Sequence, residues 1–92
     1  MSAAGARHMD RVAKLGCCIC KRFRRESGPV EIHHIAEGSG VRSDFMVAAL
    51  CAEHHRGVTG LHGMGPKAFL RFYRPPGESE YGLLGWVNED LA

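Results

Sequence analysis

Ninety-two residues with a formal net charge of +2 and 45% apolar content describe one small domain, too short to bury a large core without a staple. The mild charge does not mark an obvious polyanion-coating protein, although its cations are clustered. No apolar run is long enough to cross a membrane, and the stretch from Met1 to Leu15 carries Arg7, His8, Asp10, Arg11 and Lys14 where a signal peptide would be apolar. That implies a cytoplasmic setting, in which the 4 cysteines are more often metal ligands than disulfide partners.

Taken in chain order, residues 1–6 are small and polar and are expected to be flexible. Met9, Val12, Ala13 and Leu15 then recur at near-helical spacing, which predicts a short helix from about Arg7 into Gly16. A basic turn follows, with Lys21, Arg22, Arg24 and Arg25 around Phe23, a composition suited to phosphate contact. Gly28-Pro29 ends it and opens an extended run, Val30 to Ile35, rich in β-branched residues. Alternation sets Val30, Ile32 and His34 on one face and Glu31, His33 and Ile35 on the other, so the two adjacent histidines point opposite ways unless the strand is bulged. Gly38, Ser39 and Gly40 mark a flexible loop, and Met46 to Leu50 reads as the returning strand.

A helix should begin near Cys51, with Gly57 as its stop. Gly57, Gly60, Gly63 and Gly65 make a loop around His62. Pro66 suits the first position of the next helix, Pro66 to Tyr73, which Arg74-Pro75-Pro76-Gly77 breaks. A last helix from about Glu80 to Leu91 carries Leu83, Leu84, Val87 and Leu91 on one face, with Trp86 near its edge. Phe69, Phe72 and Trp86 read as packing residues, and Cys18, one residue from Cys20, as a small buried apolar side chain.

The spacing of Cys17-x-x-Cys20 and Cys51-x-x-His54 carries the first piece of chemistry. Two ligands three positions apart can hold one ion from a tight turn or a helix start, and two such pairs complete a tetrahedral zinc site. This structural zinc would be the staple, and its loss would unfold the core. His33, His34 and His55 are left over. Strand, loop, strand, helix with histidines on the first strand and the helix is the layout of a one-metal phosphodiesterase. In such a site one histidine helps bind a divalent cation while a neighbouring neutral imidazole takes a proton from water.

Val30-Glu31-Ile32-His33-His34-Ile35, Leu50-Cys51-Ala52-Glu53-His54-His55-Arg56-Gly57 and Gly60-Leu61-His62-Gly63 resemble the HNH (ββα-metal) endonucleases. Within them the chain is similar to the phage recombination-enhancement (Ref) nucleases, over nearly its whole length from His8 to Leu91. The resemblance implies an α+β fold, a small zinc-stapled ββα-metal (HNH) core with flanking helices, in a single nuclease domain over residues 7–92. It implies that His33 is a catalytic-metal ligand, His34 the general base and His55 the helix-borne metal ligand, with Cys17, Cys20, Cys51 and His54 on the structural zinc. The cofactors are then Zn2+ and a second ion, Mg2+ or another divalent cation. The substrate it implies is DNA held by a RecA recombinase filament; the modest charge with one basic turn adds an expectation of low sequence specificity, and the setting is expected to be the cytoplasm of a bacterial host, or of a host carrying the gene as a prophage.

One departure stands out. The central Asn of the wider HNH pattern is absent, and Ser43, Asp44 and Met46 occupy its neighbourhood; Asp44 is a candidate to orient an active-site histidine. His62 has three open roles: completing the metal shell, contacting a phosphate, or capping the next helix. Candidate nucleic-acid contacts are Lys21, Arg22, Arg24, Arg25 and Arg56. The competing readings are a non-catalytic zinc module that binds nucleic acid and a recombinase-docking module without activity. A nuclease should bind one tight zinc and one exchangeable ion, whereas a plain zinc module binds only the first.

Overall fold

The computed structural model describes residues 2–36, 40 and 42–92; Gly38 and Ser39, expected in a flexible loop, lie outside them. The described chain runs α1 (Ala3–Lys14), α2 (Cys18–Arg22), β1 (Val30–His34), β2 (Val47–Cys51), α3 (Ala52–Arg56), α4 (Leu61–Met64), α5 (Pro66–Tyr73) and α6 (Glu80–Leu91). It is an α+β arrangement built on two antiparallel strands. The register pairs Val30 with Cys51, Glu31 with Leu50, Ile32 with Ala49, His33 with Ala48 and His34 with Val47.

β2 is the centre of the core. Val47, Ala48, Ala49 and Leu50 are all buried, as expected for a continuous apolar strand covered on both faces. Helices α1, α2, α3 and α6 all pack against it. Val12, Ile19, Leu83 and Val87 are the buried side chains these helices contribute, joined by Ile35, Leu61 and Phe69. Cys18 is buried among them, as its spacing suggested, and burial pushes its thiol up to about 12.

The first helix corrects the sequence reading. It begins at Ala3 rather than Arg7, so most of the stretch expected to be flexible is helical. The Ser2 hydroxyl accepts the Gly5 N–H at 3.0 Å, and Ala3, Ala4 and Ala6 are strong helix formers. Apolar periodicity could not register this turn because it packs through a glycine. A Cβ at Gly5 would lie 2.9 Å from Cβ of Asp44, so the bare backbone is what lets α1 lie against the Asp44 loop.

α5 and α6 have the limits the sequence indicated. Pro66 opens α5, and Arg74 closes it in the left-handed region with φ 54°. Ser79 caps α6 by accepting the Tyr81 N–H at 3.0 Å. The glycine-rich stretch before α5 is not a plain loop: residues 61–64 form the one-turn helix α4. It packs so closely beneath α3 that any side chain at Gly63 would strike the Gly57 carbonyl.

Two candidate metal centres and a histidine between carboxylate and guanidinium

The first centre joins three elements. Cys17 caps α2, its sulfur accepting the Cys20 N–H at 3.5 Å, while Cys51 ends β2 and caps α3, which carries His54. A tetrahedral zinc with bonds of about 2.3 Å to sulfur and about 2.0 Å to nitrogen sets sulfur–sulfur edges near about 3.8 Å and sulfur–nitrogen edges near about 3.5 Å. The observed edges match: Cys20 Sγ to Cys51 Sγ is 3.8 Å. His54 Nδ1 lies 3.5 Å from Cys17 Sγ, 3.5 Å from Cys20 Sγ and 3.3 Å from Cys51 Sγ. Without a cation, burial and the adjoining Cys17 push the Cys20 thiol up to about 12; burial and the nearby Arg25 lower the His54 pKa, favouring the neutral ligand form. Three sulfurs and one neutral imidazole at these distances are a donor set suited to zinc.

The second centre starts at the neighbouring residue of α3. The His55 ring lies 5.4 Å from that of His33 on β1 and 4.8 Å from that of His62 on α4, with His33 and His62 5.6 Å apart between centroids. One ring nitrogen of each falls within 4.8 Å of the others. Each of the first two is held by a carboxylate. His55 Nδ1 is 2.8 Å from Glu31 Oε1, leaving Nε2 toward the cluster, and His33 Nε2 is 2.6 Å from Glu80 Oε1 at the start of α6.

Glu31 is itself gripped by Arg56, with Nε at 3.1 and 3.0 Å from its two oxygens and Nη2 at 2.9 Å. Arg56 and then His55 hold the Glu31 carboxyl down at about 2. Burial, with His55 and His33 alongside, lowers the His62 pKa, as suits a neutral donor. Three imidazoles with carboxylates behind or beside them are the pattern by which proteins orient histidine ligands.

His34 turns to different partners. Its Nε2 is 2.9 Å from Asp44 Oδ1, and its Nδ1 is 3.1 Å from Arg42 Nη2. A guanidinium can only donate, so the ring carries its proton on Nε2 toward Asp44 and presents a lone pair at Nδ1. The expectation from strand alternation, that the two histidines diverge, agrees with these contacts. Asp44 does bond an active-site candidate.

Other candidates fare unevenly. Arg22 Nη1 meets both oxygens of Asp90 at 3.3 and 3.2 Å, while Nη2 bonds the Trp86 carbonyl at 3.1 Å and Glu89 at 3.2 Å. Its guanidinium also lies 5.1 Å from the Trp86 ring centroid, so Arg22 ties α2 to α6. Arg56 is occupied by Glu31. Arg24 and Arg25 are exposed, and Lys21 sits 3.9 Å from Asp90. Sequence reading missed Glu31 and Glu80 as carboxylate partners and did not single out Arg42. Glu31 could have been noticed, since it shares the strand face of His33; Glu80 lies 47 positions from its partner and left no local signal.

Fold and sites together define a small α+β protein with a zinc-type Cys/His cage beside a second, histidine-rich cluster. The family described as recombination enhancement, RecA-dependent nuclease matches residues 1–88, and the chain belongs to that family. It is therefore an enzyme of the nuclease class, with DNA as its substrate and RecA as an associate in recombination. No curated protein and no solved structure matches the chain. Among the described residues, no helix is long and apolar enough to cross a membrane.

Proposed function

We propose that the protein is a metal-dependent DNA endonuclease of the HNH, or ββα-metal, type, of low sequence specificity and directed to its substrate by a RecA filament in a bacterial cytoplasm. The observation that carries the reading is the divergence of His33 and His34. Adjacent residues of one strand have two different sets of partners, one fit for a cation and one fit for a base.

In this reading His33, His55 and His62 hold the catalytic divalent ion, Mg2+ or another, while Cys17, Cys20, Cys51 and His54 hold the structural Zn2+. A divalent ion held by these three imidazoles would offset charge on the scissile phosphate and the leaving oxygen. His34 is the general base. Its Nδ1 lone pair, which faces Arg42 at 3.1 Å, is the proton acceptor: when Arg42 turns to a phosphate oxygen, Nδ1 takes a proton from the attacking water as the water oxygen bonds to phosphorus and the bond to the leaving oxygen breaks. Asp44 fixes the tautomer and stabilises the imidazolium that forms, the role a carboxylate plays behind any such histidine. Arg42, beside Nδ1, is placed to meet a phosphate oxygen. Glu31 and Glu80 orient the metal-binding rings, and Arg56 keeps Glu31 ionised for that task. Arg24, Arg25 and Lys21 offer backbone attraction, which positions DNA without reading its sequence.

The test combines metal content with cleavage. Purified protein should carry one tightly held zinc and bind one exchangeable divalent ion. With that ion it should nick circular single-stranded or duplex DNA, faster when the DNA carries RecA. His33→Ala should lose the exchangeable ion and the cleavage while keeping zinc. One zinc, no second ion and no cleavage under any metal or RecA condition would leave a plain zinc module and refute the proposal.

A further inference from the structure

Against the Cys/His cage, through His54, lies a cleft of about 450 Å³ whose wall also includes Ile19, Phe23, Arg25, Thr59, Phe72 and Tyr73. Its floor is Tyr73, whose ring meets the zinc-type ligand His54 at 5.5 Å between centroids and whose hydroxyl donates to the Thr59 carbonyl at 2.9 Å. Phe23, from the turn after α2, and Phe72, from α5, both meet Tyr73 at steep angles, 71° and 80°. Neither is covered: Phe23 is 52% and Phe72 66% exposed. The sequence grouped Phe72 with Phe69 and Trp86 as packing residues. Phe69 is fully buried and Trp86 partly so, carrying the Arg22 guanidinium, but Phe72 points to solvent.

A single exposed aromatic needs no explanation; two converging on one cleft with a cation in its wall do. Arg24 and Arg25 form no salt bridge among the described residues. The nearby Glu53 carboxylate is already taken by the Thr59 N–H and hydroxyl at 2.8 and 2.7 Å. Flat apolar rings beside the Arg25 guanidinium, which forms no salt bridge among the described residues, complement a flat base joined to a phosphate. The cleft is within the usual size range for small-molecule sites, roughly 300–1,000 Å³. Bases in a duplex keep their faces stacked on one another, whereas an unpaired base has a free face to offer.

We infer that this cleft is a single-strand DNA site, in which an unpaired base stacks on Phe72 or Phe23 and its phosphate meets Arg25 and Arg24. The inference rests on the nuclease reading and adds the form of DNA that the protein grips. It also places that grip against the zinc cage, on residues separate from the histidine cluster.

The experiment uses the zinc-loaded full chain and fluorescence anisotropy with three labelled probes: oligothymidylate, an abasic strand of equal length, and a duplex. Wild type should bind oligothymidylate about 5- to 150-fold more tightly than the abasic strand, the span expected for base–aromatic stacking. Phe72→Ala should bring oligothymidylate down toward the abasic value, leave abasic binding unchanged and keep the thermal melt. Phe72→Trp should restore the difference. Equal oligothymidylate affinity in wild type and Phe72→Ala overturns the cleft while leaving the nuclease reading intact, as does an equal loss on the abasic strand. Phe72→Ala that binds every probe normally yet no longer associates with a RecA filament would assign the cleft to a protein and overturn its DNA role. Failure of wild type to bind any probe would instead strike the nuclease reading itself.

Discussion

Removing zinc should unfold this protein rather than merely inactivate it. The cage ties the N-terminus of α2 to the end of β2 and to α3, and both helices are only 5 residues long. Helices that short do not stand alone in water, so their geometry is supplied by what they bind. Structural zinc contributes about 10–16 kcal/mol of apparent binding energy in small domains. The whole net stability of a chain this size is about 5–15 kcal/mol. Even a loss of about 5 kcal/mol, at about 4–8 °C of melting temperature per kcal/mol, lowers the melt by more than about 20 °C. The measurement is far-UV circular dichroism with a temperature ramp, before and after chelation, with zinc content read on the same samples. Cys20→Ser, which removes one ligand without a chelator, should shift in the same direction. A zinc-free sample that keeps its spectrum and melts within about 5 °C of the loaded protein would refute the reasoning.

His34→Ala should lower cleavage by about 100- to 10,000-fold while metal content and melting stay as in wild type; turnover near the wild-type rate would move the base elsewhere. Glu31→Gln, which removes the charge behind His55, should weaken the exchangeable ion by about 10- to 100-fold with zinc retained, as read by metal titration; an unchanged affinity would mean that His55 needs no such partner. Arg22→Glu should cost about 2–4 kcal/mol, between the values for exposed and buried pairs, because it sets a carboxylate against Asp90 and Glu89 and severs α2 from α6. The double change Arg24→Glu with Arg25→Glu should leave the melt in place but weaken DNA binding and flatten its salt dependence. Identical melting and DNA-binding behaviour in the two variants would erase the distinction between the tethered arginine and the free ones.

The parts of this molecule that the sequence disclosed are those fixed by short-range geometry. Two three-residue spacings marked the cage, and its observed edges fit the metal those spacings named. Pro66 and the Arg74-Pro75-Pro76 break delimited α5, while the apolar face of residues 83–91 marked α6. Strand period alone indicated that His33 and His34 have separate surroundings. What stayed hidden depends on the tertiary fold. Glu80 reaches His33 across 47 positions and Arg22 reaches Asp90 across 68, so neither pairing has a local signature. The start of α1 was invisible for another reason: its first turn buries Gly5 rather than a large apolar side chain, and hydrophobic periodicity does not see a glycine contact. Phe72 was misjudged because the buried face of α5 runs through Phe69, Leu70 and Tyr73, and the helical period sets position 72 to the side of that face.

His54 and His55 are consecutive residues of α3, one in the cage and the other in the histidine cluster. On the proposed reading the two centres would form in order, because α3 is only 5 residues long and a helix that short takes its geometry from what it binds: closing the cage on His54 would be what presents His55. Zinc supply would then set when a newly made chain gains its cutting site, an interlock built into one peptide bond.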